Sequence, residues 1–332
     1  MKKFSRFLKN YPGAVVMVLV IIIGACLSPA FLTISNLADV LQLSAENGLL
    51  AAGMTLVLIS GGGGVDLSVG TNFALGSMAV AMTQAYYGWP IWASVLLGIA
   101  VSFVIGAANG ILVTKGKLQP FVATLVMMMI SRAAALLIND GKPVSTGIPA
   151  DFKVISGTKI GVFALPAIIW IVVVILIHFI ITRSKYGRNL VAIGENEEAA
   201  MYTGINVNKV RFWAYAICGI LVGIACSISV SRLMIGEPRG GSGYEMLAIA
   251  AAVMGGVSMN GGKGNGIATL FGVIALGVIQ NMMNVAGINM HLQDVVEGVI
   301  VFLAVLVPMF SEKLAEKAER RALMAARQTN NQ

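Results

Sequence analysis

Long apolar runs separated by short polar breaks make up most of the chain. They lie at Ala14–Leu32, Leu37–Ser60, Leu67–Tyr87, Ile91–Thr114, Pro120–Ile138, Gly161–Thr182, Phe212–Met234, Tyr244–Met259, Asn265–Val285 and Asp294–Phe310. A helix needs about 20 apolar residues to cross a hydrocarbon core of about 30 Å, so the pattern predicts about ten membrane-crossing helices. The predicted fold is all-α, a polytopic transmembrane bundle over residues 14–310. A short segment, 1–13, precedes it and a charged tail, 311–332, follows. Two polar breaks are longer than the others, at 139–160 and 183–209.

Composition narrows the class. Of 332 residues, 57% are hydrophobic and 11% charged, where a soluble domain carries about a quarter charged. Soluble enzymes are excluded, and no polar stretch is long enough for a nucleotide-binding or catalytic domain. Thirty-eight glycines suit close helix packing in lipid. Cys26, Cys218 and Cys226 all fall in apolar runs, without metal-ligand spacing or a disulfide framework.

The formal charge of +8 reads as topology and calls for no nucleic-acid partner. With a cytoplasmic N-terminus, seventeen of the 23 basic residues fall on the inside and five outside, as the positive-inside rule requires. Both termini are then cytoplasmic, 139–160 is external and 183–209 is cytoplasmic. Lys2, Lys3, Arg6 and Lys9 precede an apolar run in which Ile23-Gly24-Ala25-Cys26 resembles a lipoprotein cleavage box. An uncleaved first helix is the favoured reading, because the rest of the chain is equally hydrophobic.

Three features carry candidate chemistry. The first is Ser60-Gly-Gly-Gly-Gly-Val-Asp66-Leu-Ser68-Val-Gly70. Irregular backbone at membrane depth must be satisfied by protein or water, and a buried Asp costs about 2.5–3.5 kcal/mol on insertion scales. Asp66 therefore either lines a pathway or caps the helix that begins near Leu67, and the two are compatible. No phosphate-binding G-x-x-x-x-G-K-[ST] pattern exists; Lys263 in Gly261-Gly262-Lys263-Gly264 has the wrong spacing.

The second is the polar stretch containing Gly187, Asn189, Gly194, Glu195, Asn196, Glu197, Glu198, Ala199, Ala200 and Gly204. Asn196 reads as an N-cap, with Glu197 and Glu198 favouring the positive helix end. Ala199, Ala200 and Tyr202 would give that helix a small apolar face suited to a partner's groove. An ordinary interfacial loop is the plainer reading. The third is the set of polar residues inside the spans, among them Glu46, Asn72, Asn109, Arg132, Glu245 and Asn281. Such groups hydrogen-bond sugar hydroxyls or tie helices together. With Asp66 and Ser68 they form the candidate translocation path. His178 has no evident partner, and the Met127–Met129 and Met282–Met283 clusters read as packing. A parallel repeat is also suggested: Glu46 and Gly62-Gly63 recur as Glu245 and Gly261-Gly262 at a constant offset.

Gly53-Met54-Thr55, Val65-Asp66-Leu67-Ser68-Val69-Gly70, Pro120-Phe-Val-Ala-Thr-Leu125, Gly141-Lys-Pro143-Val144, Gly204-Ile-Asn-Val207, Gly243-Tyr-Glu245 and Ala248-Ile-Ala-Ala251 together resemble the membrane permeases of ribose-type monosaccharide ABC importers. The resemblance runs in order along nearly the whole chain. It implies a bacterial plasma-membrane subunit (inner membrane in a Gram-negative cell) that pairs with a second permease copy or paralogue. It also implies a cytosolic ABC ATPase using ATP and Mg2+, a periplasmic or extracellular sugar-binding protein, a small-sugar substrate and no cofactor on this chain. Under it, 183–209 holds the helix that docks on the ATPase. Gly61–Gly64 is longer than the family pattern, Gly194-Glu195-Asn196 replaces a usual Gly-Gly-Asn, and Leu247 stands where an Asp is common. An ion-coupled secondary transporter is the alternative and would need carboxylates or histidines as coupling sites; an intramembrane enzyme comes third, lacking a nucleophile–base pair.

Overall fold

A computed structural model describes residues 11–27, 29–289, 291–303 and 306; the basic N-terminal segment 1–10 and the tail 311–332 lie outside them. The chain forms α1 (Pro12–Leu27), α2 (Ile34–Ile59), α3 (Val69–Ala85), α4 (Ile91–Thr114), α5 (Pro120–Leu137), a one-turn α6 (Val154–Gly157), α7 (Leu165–Arg183), α8 (Lys185–Glu195), α9 (Glu197–Tyr202), α10 (Val207–Leu233), α11 (Tyr244–Gly255) and α12 (Gly266–Val285). Residues 291–303 are helical as well. Among the described residues six helices, α2, α4, α5, α7, α10 and α12, are long and apolar enough to cross a membrane. A two-stranded hairpin, β1 (Lys159–Ile160) and β2 (Phe163–Ala164), takes up the start of the run expected to begin at Gly161.

The centre of the bundle is α2 and α10, whose apolar windows are each 83% buried. Two paired glycine motifs bring α10 against α4. Gly106 and Gly110 on α4 face Tyr215, Gly219 and Phe212 of α10; Gly223 faces Gly98 and Ile99. A Cβ at Gly106 would sit 2.9 Å from the Gly219 Cα, so the two backbones touch, as small-xxx-small crossings in lipid allow. On the opposite side of α2, Trp170 of α7 lies fully buried against Gly48. Thr55 of α2 meets Thr269 of α12 at 2.6 Å.

The bundle has two distinct ends. At one, the chain from α5 to α7 docks on the end of α10: Val144 bridges Gly236, and Ser231 Oγ donates to the Phe152 carbonyl at 2.6 Å. At the other lie the glycine loop, α8 and α9. The 139–160 and 183–209 stretches are therefore at opposite ends.

Two short helices, α3 and α11, begin inside the bundle, and contacts along α3 show how. Gly236 sits against Ala81 and Ser77 of α3, while Gly241 sits against Gly70 at the start of that helix. Positions 70 and 81 are about 16 Å apart on a helix rising 1.5 Å per residue. The segment 234–243 thus turns back into the bundle along α3, and α11 begins inside. From the opposite end, 60–68 also folds inward, so that α3 starts only at Val69. The two helix N-termini meet where Gly70 touches Gly241. Consequently Glu46 lies within a continuous 26-residue helix and Glu245 opens a 12-residue one, so the features at constant offset occupy unlike elements.

Candidate functional site

The inner site is built around the start of α3. Asp66 is 2% exposed, and its Oδ1 accepts from the Ser68 N–H at 2.9 Å, the Ser68 hydroxyl at 2.6 Å and Asn109 Nδ2 at 3.1 Å. Asn109 also donates to Ser68 Oγ at 2.8 Å. Asp66 does not cap the helix as expected. Ser68 holds the N-cap position without a side-chain bond to the helix, and the carboxylate closes the turn before it. Tyr215 Oη donates to the Val65 carbonyl at 3.2 Å, fixing the same turn to α10. Asn72, one turn into α3, donates to the Ser102 carbonyl of α4 at 3.1 Å.

From the other side comes α11. Glu245 lies in its first turn, where a negative charge meets the positive helix end, and a Cβ at Gly70 would collide with its carboxylate. Arg132 of α5 donates from Nη1 to the carbonyls of Pro238 and Gly240 at 2.6 and 3.0 Å, satisfying backbone that the inward-folded segment leaves open. Six of the eight candidate path residues are thus gathered where α3 and α11 begin. The remaining two are not. Glu46 pairs with Arg232 at 2.9 and 3.2 Å, and Asn281 exchanges hydrogen bonds with Asn36 at 2.9 and 3.0 Å, tying α12 to α2.

The outer site is a glycine junction at the end of α2. Gly61, Gly62 and Gly63 have φ of 67, 63 and 71°, a left-handed run that side chains resist. It lets the loop double back under Ile59. There Gly262 N–H donates to the Ile59 carbonyl at 3.0 Å, and Gly61, Gly194 and Gly261 stack backbone on backbone. A Cβ on Gly194 would overlap the Ile59 carbonyl and Gly262. Three sequence features read separately, the glycine loop, Gly194 and Gly261-Gly262, form one contact.

α8 and α9 attach here. The α8 helix was not expected; its signal was Leu190 and Ile193 three apart, both buried, after Ser184, whose hydroxyl accepts from Gly187 N–H at 2.9 Å. Tyr186 donates to the Val210 carbonyl at 3.2 Å, and burial pushes its phenol pKa up, which keeps the donor proton in place. Asn189 is half-buried, Glu195 exposed, and Gly204 turns the chain into α10 with φ 82°.

Asn196 caps α9, accepting from Ala199 N–H at 2.9 Å. Of the three residues expected to form an apolar face, Ala200 packs inward, whereas Ala199 and Tyr202 are exposed, and Met201 and Tyr202 project at 59% and 92% exposure. Glu198 is exposed, whereas Glu197 turns inward to Arg211 at 2.7 Å. The same Arg211 Nη2 donates to the Ser60 carbonyl at 3.1 Å. Sequence reasoning counted Arg211 only as a topological charge and missed this bridge. It also left His178 without a partner; its Nδ1 faces Asn265 Oδ1 at 3.2 Å, beside the cap of α12.

Comparison with known proteins decides the class. Residues 36–305 match the family described as branched-chain amino acid transport system / permease component. The chain belongs to this permease family. The ribose import permease RbsC of Escherichia coli K12 is 38% identical over 306 residues, 91% of this chain and 94% of that one. RbsC of Bacillus subtilis is 38% identical over 290 residues, 87% and 89%. The L-arabinose transport system permease AraH of Escherichia coli K12 is 34% identical over 316 residues, 93% of each. For a permease, the inner meeting of α3 and α11 and the outer glycine junction are the natural places to look for passage and for control.

Proposed function

We propose that this permease imports a small sugar, a monosaccharide, by alternating access, with ATP hydrolysed on a separate cytosolic subunit. The observation that carries this is the 38% identity to ribose import permeases over nine-tenths of both chains. The family description names branched-chain amino acids while these full-length relatives name sugars. We follow the relatives, because their similarity extends over both chains almost end to end. The ion-coupled alternative needs free intramembrane carboxylates, and Asp66 and Glu46 are taken up by hydrogen bonds and an ion pair. Glu297 accepts from Gln280 at 2.8 Å.

In this reading about ten helices cross the bacterial plasma membrane with both termini cytoplasmic. The glycine junction faces the cytosol, and 183–209 receives the ATPase through the exposed Met201, Tyr202 and Glu198. A sugar-binding protein delivers substrate to the end formed by 139–160, and a second permease copy or paralogue completes the channel. ATP and Mg2+ belong to the ATPase, and this chain binds no cofactor.

The test is uptake into proteoliposomes holding the permease, its ATPase and its binding protein. Radiolabelled D-ribose, L-arabinose or D-allose should accumulate only with internal ATP, and L-leucine should not. Uptake of leucine, or sugar uptake driven by an ion gradient without the ATPase, overturns the reading.

A further inference from the structure

Between α2, α11 and α12 lies a small cleft lined by Ser44, Asn47, Leu247, Ala251, Gly277 and Gln280. It exists because α11 is a half-length helix bounded at both ends by left-handed glycines, Gly243 and Gly256, and because Gly277 and Ala251 present almost no side chain. The cleft lies within the length of α2, not at its end: Ser44 is ten residues past Ile34, about 15 Å along the helix. Two of its polar atoms are buried without a partner, Ser44 Oγ and Asn47 Oδ1, and Ser44 is 4% exposed. A buried polar atom left unpaired is destabilising, so two such atoms on residues lining one cleft call for a ligand. Gln280 is differently placed, its amide already donating to Glu297.

We infer that this cleft is a hydroxyl-binding point for the substrate in transit. Ser44 offers a hydroxyl that donates and accepts, and Asn47 a carbonyl oxygen that accepts, a pair that suits a sugar hydroxyl and not an apolar side chain. The space is the size of a water molecule, which would hold the same bonds. When α11 moves relative to α2, the water gives way to a substrate hydroxyl. A broken helix beside an intramembrane polar cleft is where transporters commonly hold their cargo. Contact through two neutral groups is weak, which suits a point that must release what it receives.

This inference rests on the sugar-import reading, and one experiment separates the two. Proteoliposomes containing permease, ATPase and binding protein are loaded with ATP, and D-ribose, L-arabinose and D-allose uptake is measured beside ATPase activity stimulated by the binding protein. Asn47→Leu keeps the shape and removes the polar atoms; Ser44→Ala removes the hydroxyl; Ser44→Thr keeps it. We expect uptake to fall about tenfold in Asn47→Leu and severalfold in Ser44→Ala, with stimulated ATPase activity unchanged and near-normal uptake in Ser44→Thr. Unchanged uptake in both polar deletions overturns the inference and leaves a trapped water as the occupant. Loss of uptake and ATPase stimulation together also overturns it, since the cleft would then serve assembly. If the unaltered complex moves none of the three sugars, the import reading fails and the cleft inference with it.

Discussion

Arg211 is the residue through which α9 reaches the transmembrane helices. It is 8% exposed, and it joins Glu197 of α9 to the carbonyl that ends α2. An isolated exposed pair is worth at most about 1 kcal/mol, but losing one partner of a buried pair strands the other charge. A reversed charge at buried position 211 would face Glu197 and the Ser60 carbonyl, whereas one at half-exposed position 197 is reached by solvent, so reversal at 211 matters more. Arg211→Glu should cut sugar uptake by tenfold or more while the ATPase still co-purifies, and Glu197→Arg should do less. The double exchange, Glu197→Arg with Arg211→Glu, should recover part of the uptake. Equal loss in the exchange and the single variant would show that Arg211 acts through Ser60 alone.

The surface residues of α9 carry a different expectation. Tyr202→Ala with Glu198→Lys should reduce the yield of co-purified ATPase severalfold and leave the amount of folded permease unchanged. Sequence alone placed Asn196 as a cap because the chemistry is local, a side-chain oxygen three residues from an N–H. It could not say which acidic neighbour faces inward, since Arg211 is fourteen residues from Glu197 and meets it only through the return of the chain into α10.

At the level of elements, helix identity was readable and helix length was not. Apolar runs mark α2, α4, α5, α7, α10 and α12 because each must be apolar over a full crossing. α3 and α11 belong to runs that are equally apolar, yet both begin inside the bundle. Each is reached by an inward passage, 60–68 or 234–243, whose backbone is held by Tyr215 and Arg132 from other helices, while Asn109 holds the Asp66 and Ser68 side chains. Hydropathy cannot report a hydrogen-bond partner forty residues away or more. Packing is more legible: the Gly106–Gly110 and Gly219–Gly223 spacings are visible in the chain, though not which motif meets which. Since these backbones touch, Gly219→Leu forces α4 and α10 apart. Overpacking of this kind costs about 1–3 kcal/mol, and the detergent-solubilised melting temperature should drop by several degrees or the folded yield should collapse. Gly157→Ala is the control: open space surrounds that position, and its melting temperature should match the unaltered protein's. A Gly219→Leu protein as stable as the parent would mean the crossing is looser than its geometry.

For the whole molecule the open variable is which end faces the cytosol, and the charge count and the fold bear on it independently. The contacts put Lys142, Lys153 and Lys159 at the end where the 139–160 stretch docks. They put Lys115, Lys117, Arg183, Lys185, Arg188 and Lys209 at the end with α8 and α9. The latter holds the excess of basic residues, so the positive-inside rule predicts that it faces the cytoplasm. The same end carries the exposed Tyr202 and the junction of Gly61, Gly194 and Gly261, so a push on α9 reaches α2 and α12 over a few backbone contacts. Orientation is therefore also a claim about mechanism, because under the proposed function only the cytosolic end receives ATP-driven force. Single cysteines test it. In a Cys26→Ser background, with Cys218 and Cys226 fully buried, Ser145→Cys and Tyr202→Cys each place one thiol at an exposed position, at opposite ends. A membrane-impermeant maleimide should label position 145 in intact spheroplasts and position 202 only after the membrane is opened. The reverse pattern would turn the molecule over, move the ATPase surface to the other end, and leave Arg211 with nothing to transmit.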